Sequence, residues 1–145
     1  MTKVNVGSSR LLLAIILLLL LTPTNAAQAR SQSWLRGVWE GTGYQTDSDS
    51  TWPMTFSIRR RRGQRAYSAN YASLKCGGEW RLLTINKRRA TFREVLTYGQ
   101  TECLENGRVI IQRLNNTQLL YLYSNQGSRK ITASAILNKR MPARN

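Results

Sequence analysis

The chain carries 145 residues with 22 Lys+Arg against 7 Asp+Glu and no histidine, for a formal net charge of +15. Without histidine, most metal sites and the usual acid–base catalysts are excluded. The cationic excess favours solubility and attraction to anionic surfaces but does not bear on fold.

Residues 1–29 read as an export leader. Lys3 and Arg10 supply the positive start, 11–21 is an unbroken apolar run, and Ala27-Gln28-Ala29 is an A-x-A cleavage site. The apolar run is well short of the roughly 20 residues needed to span a bilayer. Cleavage near Ala29 predicts a secreted or periplasmic protein in which residues 30–145 form a single domain, still strongly basic because only Lys3 and Arg10 leave with the leader.

Beyond the leader, 35–44 (LRGVWEGTGY) predicts a first strand that Gly37, Gly41 and Gly43 allow to bend, and 46–51 (TDSDST) a polar turn. In 52–60, Met54, Phe56 and Ile58 alternate with Thr55, Ser57 and Arg59, the period of a half-buried strand, with Pro53 expected at its start. The basic turn 60–65 (RRRGQR) pivots on Gly63, and 66–73 alternates again through Tyr67, Ala69 and Tyr71. A turn at 74–78 holds Cys76. A fourth strand follows at 79–86, then a second basic turn at 86–89 (NKRR). The fifth strand, 90–98, sets Phe92, Leu96 and Tyr98 on one face, and the connection 99–106 carries Cys103. Strands at 107–114, 118–124 and 131–137 complete the count, separated by Asn115-Asn116 and by 125–130.

Eight short strands at nearly even spacing, with no sustained helical period, predict an all-β protein. The expected architecture is an eight-stranded antiparallel up-and-down barrel, which closes on itself and leaves no edge; a flattened sandwich of the same strands is the alternative. In an exported chain two cysteines are expected to pair, and a Cys76–Cys103 disulfide spanning 27 residues would contribute roughly 3 to 4 kcal/mol in the chain-entropy model.

A meander also assigns its turns to ends. Those after strands two and four share one end, which gathers Arg60, Arg61, Arg62, Arg65, Lys87, Arg88 and Arg89. The turns after strands three and five bring Cys76 and Cys103 to the other, along with Asp47, Asp49, Glu102 and Glu105. The basic cluster is either a set of well-solvated turns or an anion-binding surface for lipid headgroups, an acidic glycan or an acidic protein. No aromatic residue lies within these turns, which argues against base stacking and sequence-specific nucleic-acid recognition.

Trp39, Phe56, Tyr67, Tyr71, Trp80 and Phe92 are the candidates to line a cavity for a small apolar ligand, or else to fill the core. In strands six and seven the runs Val109-Ile110-Ile111 and 119–123 (LLYLY) make both faces apolar, so a homodimer or docking face is an open alternative there. Asp47 and Asp49 lack the rest of a calcium loop and read as a polar hairpin. No metal or cofactor is expected. Glu40, Glu79 and Glu94 are the carboxylates available for a glycosidase pair. On strands with charged neighbours they read instead as surface partners for arginines, and no enzyme is expected. Asn115-Asn116-Thr117 matches an N-glycosylation acceptor, relevant only in a glycosylating host.

Gly37-Val38-Trp39-Glu40-Gly41 resembles the G-x-W signature of the calycin group, which includes lipocalins and avidins. The resemblance implies that Trp39 plugs a closed end and that Arg140 or Lys139 packs over it. From Leu35 to Arg140 the order of motifs is also similar to small extracytoplasmic bacterial domains, some attached to serine/threonine kinases. It runs from G-x-W-x-G through Tyr71-Ala72-Ser73-Leu74 before Cys76-Gly77-Gly78, then Phe92-Arg93-Glu94 and a glycine before Cys103. A late strand at Leu119-Leu120-Tyr121 precedes Ala133-Ser134-Ala135. That likeness supports barrel and disulfide and implies no catalytic residue. The expected function is a secreted lipocalin-like binding module for a small apolar or amphipathic ligand, with its mouth at the cysteine end. The alternative is an interaction or inhibitor protein whose basic end grips an acidic surface while the barrel is filled.

Overall fold

Period-two patterning is carried through in the computed structural model, which describes residues 33–61 and 64–141. The predicted leader, its cleavage site near Ala29, and Arg62 lie outside the described residues, as do the side chains of Arg60 and Arg61. A short 3₁₀ turn, Ser33–Leu35, leads into β1 (Gly37–Gln45), β2 (Ser50–Arg61), β3 (Gln64–Tyr71), β4 (Cys76–Ile85), β5 (Arg89–Tyr98), β6 (Arg108–Arg113), β7 (Gln118–Ser124) and β8 (Ala133–Lys139). Each strand pairs antiparallel with the next. β8 returns to β1, from Trp39 opposite Lys139 to Gln45 opposite Ala133, closing an eight-stranded up-and-down barrel.

Every strand sends alternate residues inward. Trp39, Phe56, Phe92, Val109, Ile111, Leu119 and Leu137 are fully enclosed. Closure explains the G-x-W-x-G spacing: a Cβ at Gly41 would stand 2.2 Å from the Ile136 carbonyl oxygen on β8, so only glycine lets the two strands pair there.

Three details depart from the sequence expectation. Cys76, Gly77 and Gly78 belong to β4, because the chain reverses earlier, in a 3₁₀ turn at Ala72–Leu74. Pro53 sits within β2 opposite Thr42, and is tolerated because β3 pairs with β2 only from Thr55 onward. Tyr98 leaves the face of Phe92 and Leu96. A register shift pairs Gly77 with Tyr98 but Gly78 with Leu96, so Thr97 is the extra residue and the phase of the strand changes. Tyr98 is consequently exposed and donates a 2.5 Å hydrogen bond to Asn70 Oδ1.

The connections after β1, β3, β5 and β7 share one end, and Cys76 bonds Cys103 there with the Cα atoms 6.3 Å apart. Those after β2, β4 and β6 share the other. On the outer wall of β6–β8, Ile110 pairs with Leu122 and Leu120 with Ile136.

Candidate ligand site at the disulfide end

β5 carries one ionisable residue on its inward face. Phe92, Glu94 and Leu96 share a phase, and Glu94 is only 3% exposed. This corrects the expectation that Glu94 sits outside as a partner for arginine. Its hydrogen-bond partners come from the two preceding strands. Tyr71, the last residue of β3, donates a 2.5 Å hydrogen bond to Glu94 Oε1, and Trp80 on β4 donates Nε1–H to the same oxygen at 2.9 Å. Among the described residues no hydrogen bond reaches Oε2.

Burial pushes the Glu94 carboxyl above its ordinary range, while the hydrogen bonds from Tyr71 and Trp80 pull the other way. Burial, and then the proximity of Tyr121 and Glu94, holds the Tyr71 hydroxyl well above normal; Tyr121 is raised by burial and by Glu94. Tyr123 is pushed up to about 12, again by burial and by Glu94. All three phenols are therefore neutral hydrogen-bonding groups around one acid.

The cluster forms part of the wall of a recess of about 200 Å³, shared with Trp52, Tyr123 and Ala133 from the strands. Leu74, Glu102, Cys103, Leu104, Asn125 and Thr132 belong to the connections after β3, β5 and β7 and set the recess at the disulfide end. An apolar cavity of about 150 Å³ is enough to hold benzene, so the recess matches one ring or a short chain. Trp52 lies against Gly43, and its buried Nε1–H has no acceptor among the described residues.

Of the six aromatic candidates, Tyr71 lines this recess. Phe56, Trp80, Phe92 and Tyr67 pack on one another in mid-barrel: Phe56 stacks on Trp80 at 4.5 Å and Tyr67 tilts on Phe92 at 5.0 Å. Trp80 reaches the site as well, through its bond to Glu94 and by stacking on Tyr121 at 5.8 Å. Trp39 sits toward the opposite end. It donates Nε1–H to the Leu35 carbonyl at 2.9 Å, with the Lys139 ammonium 5.4 Å from its ring centroid, while Arg140 pairs with Glu40. Among the recess residues that the sequence reading left out of its ligand candidates are Glu94, Tyr121, Tyr123 and Trp52. For Glu94 a signal was present, in its phase with Phe92 and Leu96.

The described basic candidates, Arg60, Arg61, Arg65, Lys87, Arg88 and Arg89, share the far end. Arg60 is the cross-strand partner of Arg65, and Arg65 interacts with Tyr67. Lys87, Arg88 and Arg89 lie at the β4–β5 connection, whose shape is fixed by Asn86 Oδ1 accepting from the Arg88 and Arg89 amides at 2.9 and 2.8 Å. Among the described residues no cluster of three or more metal-ligating side chains occurs.

The fold and this recess define a class, the closed eight-stranded barrel with a small interior site near one mouth. No family model matches the sequence, and no curated protein is significantly similar to it. Among solved structures the chain is similar to a redesigned β-barrel, mFAP1, bound to DFHBI, with a TM-score of 0.54 and 14% identity over 76% of this chain and 99% of that one. It is also similar to EF1p2_mFAP2b bound to DFHBI, with a TM-score of 0.52 and 12% identity over 77% and 98% of the two chains. At such identities the likeness establishes the barrel fold alone.

Proposed function

We propose that this protein is an exported, non-enzymatic, lipocalin-like binding module that holds a small amphipathic ligand in the disulfide-end recess. The observation that carries the reading is the buried Glu94 carboxyl, set among aromatic walls with both of its hydrogen bonds on one oxygen. A ligand whose apolar body packs on Trp52, Tyr71 and Tyr121 and whose head donates a hydrogen bond to Oε2 satisfies both the walls and the acid. An ammonium, amide or hydroxyl head has the required chemistry.

The non-enzymatic reading is supported by the separation of the three carboxylates weighed for a glycosidase pair; the other acid of the recess, Glu102, comes from the connection after β5. Glu94 faces in, whereas Glu79 is exposed on the outer face of β4 and Glu40 pairs with Arg140 outside β1, so no two of them converge as an acid–base pair. Export is supported by the leader-like residues 1–29 and by the disulfide, which persists in oxidising compartments.

Native mass spectrometry of the protein purified from its host tests the proposal. The expected result is a retained small molecule that disappears in Ala133→Leu, where the larger side chain fills the recess, and weakens in Glu94→Gln. A host-purified protein carrying nothing, with no added amphiphile raising its melting temperature, would overturn it.

A further inference from the structure

We infer that the end opposite the recess is a docking face for an anionic phospholipid bilayer. Hydrogen bonds knit this end into one surface. The Arg113 amide donates to the Arg88 carbonyl at 2.7 Å, the Lys139 amide to Thr117 at 2.9 Å, and Trp34 Nε1 to Asn86 at 3.0 Å. Arg59, Lys87, Arg88 and Arg89 project from it in exposed positions.

The counter-charge is elsewhere. Of the seven acidic residues, Asp47, Asp49, Glu102 and Glu105 lie on the disulfide-end connections, Glu94 is inside, Glu79 is mid-wall, and only Glu40 is near the basic end, where Arg140 already pairs with it. The resulting charge separation turns the basic end toward an anionic surface and leaves the recess mouth facing water.

Apolar side chains decide which anion fits. Leu114, 46% exposed in the connection after β6, lines a surface hollow with Arg88, Arg113 and Asn115, and Met141, 70% exposed, follows β8 at the same end. A bilayer offers phosphates for the cations and, just beneath, a hydrocarbon layer for Leu114 and Met141. A soluble polyanion offers only the charges. Bases would need an exposed aromatic platform, and Trp34, the aromatic residue here, is partly buried and committed to Asn86.

The test is co-sedimentation of the folded, disulfide-bonded protein with phosphatidylcholine vesicles, with and without phosphatidylglycerol, at low and raised salt. Binding should require phosphatidylglycerol and fade as salt screens it. The triple variant Lys87→Gln/Arg88→Gln/Arg89→Gln should lose roughly tenfold or more in vesicle affinity. Leu114→Ser with Met141→Ser should weaken vesicle binding severalfold while heparin-column retention stays unchanged, and unchanged thermal unfolding would confirm the fold of each variant. The inference fails if phosphatidylglycerol makes no difference. It fails equally if the Leu114/Met141 variant binds vesicles as tightly as the parent, because the surface would then be a generic polyanion binder.

Discussion

The two ends of the barrel settle their buried polar groups differently. At the basic end, the indole N–H of Trp39 reaches Leu35 and that of Trp34 reaches Asn86, both backbone carbonyls, and the interior is packed shut around Leu35 and Trp39. At the disulfide end, the buried Trp52 N–H has no acceptor among the described residues, and the Glu94 carboxyl accepts from Tyr71 and Trp80 through Oε1. A buried donor without an acceptor costs stability, and here it belongs to a residue that lines the recess. The difference teaches that the plug end satisfies its own indoles, whereas the recess end leaves a buried indole donor without an acceptor among the described residues.

Breaking the plug should have the largest effect. Trp39→Ala should cost about 3 to 5 kcal/mol in denaturant unfolding, since a fully enclosed ring is replaced by a cavity. Leu104→Ala, at the 64%-exposed rim residue of the other end, should stay within about 0.5 kcal/mol. Comparable losses at both ends would show that the rims are held alike. The disulfide comes next. Replacing Cys76 and Cys103 together by serine should cost roughly 3 to 4 kcal/mol by chain entropy, and should loosen the connection bearing Glu102, Cys103 and Leu104 more than the basic end. Hydrogen exchange would register that asymmetry.

Acidification sharpens the comparison at the recess. The Glu94 carboxyl is raised in the folded state, so between the ordinary glutamate value of 4.5 and that raised value the native protein binds more protons than the unfolded chain. Its burden on stability is absent below that window, grows as pH rises through it, and is fully present above. Glu94→Gln keeps an acceptor for Tyr71 and Trp80 but cannot ionise. At neutral pH the variant should be more stable than the parent, and the gap should close as the solution is acidified. A gap independent of pH would mean that the Glu94 carboxyl titrates alike in the folded and unfolded chain, and that its burial carries no such burden.

The barrel was legible because its information is local. Alternation marked the eight strands, turn composition marked most of the reversals, and alternating ends followed from a meander, which brought Cys76 beside Cys103 and Arg65 to the end of Arg88. The recess was only half legible. Reading outward from charge placed Glu94 on the surface, where phase with Phe92 and Leu96 places it inside. That conflict resolves only once Tyr71, Trp80 and Tyr121 are known to meet it: Trp80 is its partner across the β4–β5 hairpin, while Tyr71 and Tyr121 arrive from β3 and β7. Tyr98 was misplaced for the opposite reason, since a single extra residue at Thr97 breaks the period that carried the prediction.

The smallest effects test whether charge at the basic end does structural work. Lys139 covers the Trp39 ring, so Lys139→Gln should cost about 0.5 to 1 kcal/mol, the range of a cation over an aromatic face at a partly exposed site. Arg140 meets Glu40 with both side chains substantially exposed, so Arg140→Gln should cost less than about 0.5 kcal/mol and fade further with salt. If instead Arg140→Gln proved the more damaging of the pair, the ion pair would be the cover of the plug and Lys139 only its neighbour. The arrangement argues for Lys139, because it alone stacks on a ring that is itself sealed from water, whereas the Arg140 pair must compete with water on every open side.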